Sequence, residues 1–261
     1  MIYVLYHASC RDGFAAAYAA WKFFGDTGVK YIAVTHGDPP PNMKDRSHVY
    51  ILDFSYDRKT LQKLKKRMSS LLVLDHHKTA QEDLEGLDYA EFDMNKSGAI
   101  LAWEKFHTGE APQWMYYIQD RDLWKFELPG TEEVTEAILT YPYTFEVWDK
   151  FHVDDLHPIG EGVVRYKNSY VNSVVRKPMW HTIGGYRVPV VNTGSFISSV
   201  ANRLCDIYPR AEFAACYFDI PGRRVWSLRS IGDFDVGDVA KKLGGGGHRN
   251  ASGFSEENIP R

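Results

Sequence analysis

The sequence predicts an α/β protein that begins with a parallel β-sheet flanked by helices and continues into a smaller second domain. Short apolar runs with branched and aromatic residues recur up to residue 75, and helix-like segments lie between them. Runs of this kind are typical of parallel strands that are buried on both faces. Two of the runs end on an Asp and one ends on a His, which already suggests chemistry at the edge of the sheet.

The first 128 residues alternate predicted strands with predicted helices, as expected for a βαβ sheet. Ser97 is the predicted N-cap of the third helix, because its hydroxyl can accept from a free backbone N–H of the first turn. A break at 128–130 ends the pattern. We predict strands at 2–7, 31–35, 48–53 and 71–74, and helices at 14–24, 59–68, 98–106 and 113 to about 120.

The remainder is predicted to form a helical linker and then a smaller α/β domain. Helical pieces run from 132 to about 177, and we expect Pro142 and Pro158 to interrupt them. In the last domain we predict strands at 186–192, 213–220 and 224–229, and helices at 196–208 and 235–243. The predicted domains are therefore 1–128, 129–181 and 182–261.

Composition limits the kinds of partner. The formal charge is −3 and the isoelectric point is about 6.4, so there is no general basic field to capture long nucleic acid. Three cysteines provide no disulfide framework, which favours a reducing, cytoplasmic setting. The N-terminus lacks a basic segment followed by a long apolar one, so no signal peptide is expected. No apolar stretch approaches the roughly 20 residues of a membrane span, so no membrane partner is expected either.

Three of the apolar runs end on residues that bind metals. His7 ends the first run and Asp12 follows it, Asp53 ends the third, and Asp75 ends the fourth, directly before His76 and His77. The carboxyl ends of parallel strands meet at one edge of a sheet, where ligands bind. A single Asp-His-His could equally be a turn former beside surface histidines. Three aligned strand ends favour a two-metal hydrolytic site instead.

A further carboxylate pair, Asp120 and Asp122, lies near the end of the fourth predicted helix. Alone it would be an ordinary ion-pair cluster with Arg121 and Lys125. Within the proposed metal site we choose Asp120 as the ligand and keep Asp122 as the reserve.

A run of glycines at 244–247 precedes His248 and Arg249. Glycines let backbone amides approach an anion closely, and the two side chains add a donor and a charge. The alternative is a flexible linker, but linkers are more often rich in both Gly and Ser. We therefore predict an anion site at Gly245, Gly246, Gly247, His248 and Arg249, to which Arg229 could add a guanidinium.

These motifs, in this order, resemble the DHH phosphoesterase superfamily with a C-terminal DHHA1-type domain, in the branch of the oligoribonucleases and nanoRNases. The resemblance rests on HisAlaSerCysArgAspGly at 7–13, LeuAspPhe at 52–54, AspHisHis at 75–77, AspArgAspLeuTrp at 120–124 and GlyGlyGlyGlyHis at 244–248. It implies a parallel-sheet catalytic domain joined to a substrate-binding domain, with two divalent metal ions, usually Mn²⁺. By this resemblance, His7 would bind the first metal, Asp53 would bridge both metals, and the second metal would be bound by Asp12, His76 and Asp120. Asp75 would orient the site, and His77 would contact the substrate phosphate. The nucleotide would be held by His248 with its neighbouring glycines and by Arg229.

One residue departs from the resemblance. The usual first motif has an Asp where this chain has Cys10, and a thiolate is a softer ligand than a carboxylate. Cys10 could ligate a softer metal, water could take its place, or another residue could serve.

The resemblance implies a phosphodiesterase that hydrolyses short single-stranded oligonucleotides or dinucleotides to nucleoside 5′-monophosphates. Two alternatives within the superfamily stay open: a phosphatase for a bisphosphorylated nucleotide and a cyclic-dinucleotide phosphodiesterase. A third alternative is a nucleotide-binding protein without turnover. A homodimer is also left open.

Overall fold

The parallel sheet predicted at the N-terminus is present in the computed structural model, which describes residues 1–35 and 37–257. All pairings within its described strands are parallel, and the strand order is β2-β1-β3-β4-β5. This confirms the predicted fold class. The strands are β1 (Ile2–His7), β2 (Val29–Val34), β3 (His48–Leu52), β4 (Ser70–Asp75) and the unpredicted β5 (Ala90–Phe92).

The strand order reverses between β1 and β3. Tyr6 pairs with Leu52 across these two strands, so His7 and Asp53 come next to each other at the carboxyl end of the sheet. In open α/β sheets, ligands bind in the crevice at this kind of reversal. The topology alone therefore brings two of the predicted ligands together.

Helices cover both faces of the sheet. The Ala-rich face of α1 is buried because its small side chains allow close packing on the sheet and on α4; Ala15, Ala16 and Ala19 have no exposed surface. A second apolar cluster, which includes Leu61, Leu64 and Leu84, fills the opposite face. The helices are α1 (Arg11–Phe24), α2 (Arg58–Arg67), the unpredicted α3 (Lys78–Leu84), α4 (Gly98–Phe106) and α5 (Gln113–Asp122).

The predicted linker packs largely as part of this first body. The chain divides by its packing into two compact units, Met1–Val164 and Arg165–Arg261. Val134, Ile138 and Trp148 are fully buried in the core that also contains α1, since their apolar faces need a partner. The helices here are α6 (Thr131–Ile138), α7 (Phe145–Trp148) and α8 (Val153–Val174).

The prediction that Pro158 interrupts a helix is wrong, because Pro158 lies inside α8. A proline removes one backbone hydrogen bond, here to a carbonyl in the first turn, and a helix of 22 residues retains the others. The predicted end of the last domain, residues 258–261, lies outside the described residues.

The second unit contains a mixed sheet in the order β10-β11-β9-β8-β7-β6, in which the β7 and β8 pair is parallel. The strand β6 starts before the predicted domain boundary at 182. The glycine segment predicted as a loop is partly a hairpin of β10 and β11. The elements are β6 (Met179–Ile183), β7 (Tyr186–Asn192), α9 (Ile197–Ile207), β8 (Ala214–Ile220), β9 (Arg223–Arg229), α10 (Val236–Lys242), β10 (Gly246–His248) and β11 (Ala251–Glu257).

Within the described residues, no helix combines the length and the apolar character that crossing a bilayer requires.

Candidate metal centre

Asp53 occupies the centre of the ligand cluster. It follows β3 with a φ of 63°, in the left-handed region that Asp adopts more readily than most residues. Its backbone N–H donates to the carbonyl of Leu74 on the neighbouring strand at 2.9 Å. Only 1% of the residue is exposed. A strained, buried carboxylate at a strand end is typical of a functional position.

Two glycines allow helices to approach these strand ends. A Cβ atom on Gly13 would lie 2.4 Å from the carbonyl oxygen of His7, and one on Gly98 would lie 2.5 Å from the Cβ of Asp53. The starts of α1 and α4 therefore press directly against the ligand residues. Gly98 was missed as a site residue, although the Ser97-Gly98 pair was identified as a helix start.

One group of ligand atoms comes from His7, Cys10 and Asp53, which lie within 4.8 Å of one another. Nδ1 of His7 is 3.5 Å from Oδ2 of Asp53. That carboxylate oxygen is buried and makes no hydrogen bond. A buried acceptor without a partner is costly, and a cation bound beside this oxygen would remove that cost. The residues therefore fit a metal ion at this point.

A second group comes from Asp12, His76 and Asp122, again within 4.8 Å. Nε2 of His76 lies 3.7 Å from Asp12 Oδ2, 3.5 Å from Asp122 Oδ2 and 3.2 Å from Asp53 Oδ1. The carboxylate of Asp12 also accepts the backbone N–H groups of Gly98 at 2.6 Å and Ala99 at 2.9 Å. The free N–H groups at the start of α4 thus fix this ligand. Asp53 connects the two groups.

The carboxylates of these two ligand groups repel one another, and the repulsion changes their pKa values. Burial, with the charges of Asp53 and Asp122, raises the pKa of Asp12 well above its usual value. Burial and the charge of Asp53 likewise raise the pKa of Asp122. Burial opposes the ionisation of Asp53, but the imidazoles of His7 and His76 beside its carboxylate outweigh it and lower the pKa.

His76 carries the balancing charge. Burial works against its protonation, but the hydrogen bond to Asp53 and the nearby carboxylates raise its pKa to about 10. Burial and the same carboxylates raise the pKa of the Cys10 thiol. Such a concentration of buried negative charge is what a divalent cation neutralises.

Asp75 holds the following histidines in place. Its Oδ1 accepts from the backbone N–H of His76 at 2.7 Å and lies 2.6 Å from Nδ1 of His77, and its Oδ2 accepts from the Ser55 hydroxyl at 2.6 Å. Burial lowers the affinity of His77 for a proton, but Asp75 outweighs it and the pKa is raised. Ser55 was missed; its only sequence signal is its place two residues after Asp53.

The structure places the two candidate carboxylates, Asp120 and Asp122, in different surroundings. Asp120 accepts the backbone N–H groups of Glu127 at 3.0 Å and Leu128 at 3.1 Å, and also the hydroxyl of Thr131. Its carboxylate therefore fixes the chain after α5. The reserve residue Asp122 is the one beside His76. The two carboxylates diverge because they lie two residues apart at a helix end, and so project in different directions.

The loop that Asp120 fixes presents two aromatic rings. Trp124 and Phe126 have left-handed backbones, with φ of 57° and 53°, and their ring centroids are 5.0 Å apart. They remain 54% and 40% exposed. Large apolar side chains held in strained, exposed conformations suggest a binding surface beside Asp122.

In the second unit, the glycine segment has structural constraints of its own. A Cβ on Gly245 would lie 2.0 Å from the carbonyl oxygen of Gly253, and one on Gly247 would lie 2.6 Å from that of Ala251. Close strand approach therefore explains these two glycines. A Cβ on Gly246 would meet nothing within 4 Å, so packing does not require that glycine.

The predicted arginines of this region are partly engaged. Arg249 donates to the carbonyl of Asp233 at 2.5 Å and pairs with its carboxylate at 3.0 Å. Arg229 donates to the hydroxyl of Ser198 at 2.8 Å. His248 is exposed on β10. Of the predicted anion-site glycines, Gly246 is thus the one that packing does not account for.

The chain is similar in sequence to one domain family and to two known proteins, and similar in fold to a solved structure. The DHHA1 domain model matches residues 188–261. An uncharacterized protein of Acanthamoeba polyphaga mimivirus is 30% identical over 285 residues, covering 98% of this chain and 68% of that protein. The oligoribonuclease NrnB of Bacillus subtilis (strain 168) is 24% identical over 300 residues, covering 97% and 73%. A crystal structure of exonuclease RecJ bound to manganese has the same fold, with a TM-score of 0.51 at 13% identity, covering 97% and 85%.

Proposed function

Because this chain belongs to the DHH phosphoesterase superfamily and carries a DHHA1 domain, we propose that it hydrolyses phosphodiester bonds in short oligonucleotides or dinucleotides and releases nucleoside 5′-monophosphates. The relative NrnB is named an oligoribonuclease, which supports a short RNA as substrate. The net charge of −3 also favours short substrates over long nucleic acid, since the chain has no general attraction for a polyanion.

The observation that carries the proposal is the pair of ligand groups that meet at Asp53. Two divalent ions would be held there, one by His7, Cys10 and Asp53 and the other by Asp12, His76 and Asp122. Ions in such a pair supply a nucleophile at neutral pH and stabilise the charge that develops on the phosphoryl oxygens. The manganese bound in the RecJ structure supports Mn²⁺ as a metal for this fold.

His77 is the residue proposed to act on the substrate itself. Asp75 fixes its ring through Nδ1, and Asp75 raises the pKa of His77, so the ring keeps its proton to higher pH than it would without that carboxylate. A protonated imidazole can bind the phosphate or give its proton to the departing oxygen. Asp75 would act only through His77, as a positioning residue.

Two further surfaces, one within each unit, are proposed to bind parts of a nucleotide. Trp124 and Phe126 offer exposed rings on which a nucleobase can stack. In the second unit, His248 and the backbone of Gly246 are proposed to bind a phosphate, with Arg229 and Arg249 contributing positive charge. Each surface can be tested separately by substitution.

The deciding experiment is a product assay with added Mn²⁺ on a short RNA, a short DNA, a cyclic dinucleotide and a bisphosphorylated nucleotide. We expect the short RNA to yield nucleoside 5′-monophosphates. Asp53→Asn should lower the rate by at least about 100-fold, because Asn keeps the left-handed backbone but loses the charge.

Preference for the bisphosphate or the cyclic substrate would replace the proposal with one of the alternatives. Binding of nucleotide without any turnover would indicate the non-catalytic reading. Near-normal rates in Asp53→Asn would show that the catalytic centre lies elsewhere.

A further inference from the structure

We propose that the group formed by His7, Cys10 and Asp53 is selective for a thiolate-binding ion, with Zn²⁺ as the preferred metal, while the group formed by Asp12, His76 and Asp122 takes a harder ion such as Mn²⁺. This inference rests on the proposed function in one respect, since both place metal ions at the same two positions. It makes the two positions chemically different.

The placement of Cys10 is the first argument. Cys10 is the N-cap residue of α1, where Ser, Thr, Asp or Asn usually accepts a hydrogen bond from the first turn, but its side chain makes no such bond. Its sulfur instead lies within 4.8 Å of ligand atoms from His7 and Asp53. Cys10 is not fully buried, so an ion from solvent can reach it.

The surroundings of Asp53 provide a second, independent argument for an ion in this group. Oδ2 of Asp53 is buried without a hydrogen-bond partner, although Asp53 is only 1% exposed. It is the same oxygen that lies 3.5 Å from Nδ1 of His7. An ion placed among these three atoms would satisfy it. The unpartnered oxygen of Asp53 and the thiol of Cys10 therefore point to the same position.

The donor sets of the two groups differ in kind. Sulfur, nitrogen and oxygen donors together favour zinc over manganese, since thiolate and imidazole are softer ligands than carboxylate. Two carboxylates with one imidazole suit manganese better. On binding, the metal–sulfur bond replaces the S–H bond, and the thiol proton passes to solvent. The N-terminus of α1 helps to stabilise the resulting thiolate charge.

The chain offers matched controls for the thiol. Cys205 and Cys216 are also free cysteines, but both are buried in the second unit. The sulfur of Cys205 donates to the carbonyl of Arg229, and that of Cys216 to the carbonyl of Ile197. Neither is in a group of ligand atoms found among the described residues. Replacing either by Ser should leave metal binding unchanged.

The first test uses Co²⁺ as a spectroscopic substitute for zinc. Chelator-treated protein titrated with Co²⁺ should develop the near-ultraviolet absorption of a sulfur-to-cobalt charge transfer. The band should be absent in Cys10→Ser and retained in Cys205→Ser and Cys216→Ser. A wild-type protein without the band, or a Cys10→Ser protein that keeps it, overturns the proposal.

The second test is competition. Metal-free protein is equilibrated with equal Zn²⁺ and Mn²⁺, and the bound elements are measured after buffer exchange. Wild type should retain zinc at one position, and Cys10→Asp should shift the zinc-to-manganese ratio towards manganese by about tenfold or more. An equal ratio in both proteins overturns the proposal. Circular dichroism checks the fold, and Cys10→Ser provides the same comparison if Cys10→Asp does not fold.

Hydrolysis of the short RNA is measured on the same samples, so the two proposals fail separately. A cobalt–sulfur band without hydrolysis under any metal rejects the proposed function and leaves this inference standing. If wild type hydrolyses the RNA but replacing Cys10 does not change the bound metal, this inference is rejected and the proposed function stands.

Discussion

The backbone of Gly98 passes so close to Asp53 that a Cβ atom there would lie 2.5 Å from the Cβ of Asp53 and 2.7 Å from its Oδ1. No real side chain tolerates such contacts. At the same time, the N–H of Gly98 donates to Asp12 at 2.6 Å. One residue at the start of α4 therefore sets the position of a carboxylate in each ligand group.

We predict that Gly98→Ala lowers kcat/KM on a short RNA by at least about 100-fold, because the added methyl group must displace either Asp53 or α4. Alanine is otherwise a better helix residue than glycine, so helix propensity alone would favour the variant. Steady-state kinetics and bound-metal measurements check the prediction.

The matched control for Gly98 is Gly109→Ala, since a Cβ on Gly109 meets nothing within 4 Å. It should behave as wild type. Equal activity in both variants would mean that α4 can retreat from Asp53 without consequence for the site.

Replacing Asp120 and replacing Asp122 by Asn should change the stability of the protein in opposite directions. In metal-free protein, Asp120→Asn should lower the free energy of unfolding by about 1–3 kcal/mol, because it places an amide N–H₂ among the donors that Asp120 now accepts. Asp122→Asn should instead raise the melting temperature, since it removes a charge that the nearby carboxylate of Asp53 disfavours. Activity should fall mainly in Asp122→Asn. Thermal unfolding and kinetics of both variants check the contrast.

The contributions of the Asp120 and Asp122 carboxylates to the free energy of unfolding change with pH in opposite directions. Burial works against ionisation of Asp120, but the hydrogen bonds from Thr131 and the backbone lower its pKa. Its stabilisation is therefore full above the ordinary Asp pKa of about 3.9 and fades as the pH falls through the lower folded value. The raised pKa of Asp122 means that its destabilisation appears as the pH rises from about 3.9 through the folded value. Unfolding curves from pH 3 upwards that showed the same trend for both would contradict the assignment.

Asp75→Asn should lower kcat by about 10–100-fold while leaving KM nearly unchanged. The carboxylate lies 2.6 Å from Nδ1 of His77, and losing its charge removes what raises the pKa of that ring. The alkaline limb of the pH–rate profile should move to lower pH. A profile unchanged in shape would assign Asp75 a purely structural role.

Trp124→Ala should raise KM for a short RNA by about tenfold, the range expected for loss of one stacked base. The control is Trp180→Ala, because Trp180 is also exposed, by 45%, and lies in the second unit. Thermal unfolding should show little change for Trp124→Ala. A similar rise in KM for both variants would remove the case for base stacking at Trp124.

Gly246→Ala should raise KM without lowering the melting temperature, whereas Gly245→Ala should destabilise the protein. Of these two glycines, only Gly245 leaves no room for a Cβ atom, which would lie 2.0 Å from the carbonyl oxygen of Gly253. A proposed phosphate contact through the backbone of Gly246 would be hindered by an added methyl group. If Gly246→Ala kept the wild-type KM on every cleaved substrate, the phosphate site would not include this glycine.

Much of the fold, and which residues lie at the carboxyl edge of the sheet, could be predicted from local patterns. Apolar runs ending at His7, Asp53 and Asp75 are strands that pair in parallel, so their ends had to meet at one edge. Short or irregular elements were harder to find. The strand β5 has three residues, and β10 consists of two glycines and a histidine, so neither has an apolar period to detect.

The sequence by itself determined the parallel sheet and the identities of the residues at its carboxyl edge, because strand burial and strand direction follow from the order of apolar and polar residues. Only the tertiary structure decided that Asp122 and not Asp120 faces His76, that Cys10 joins His7 and Asp53, and that Gly98 must lack a side chain. Those facts depend on the directions in which side chains leave helix ends and on how closely separate segments approach, and neither is encoded in a local pattern.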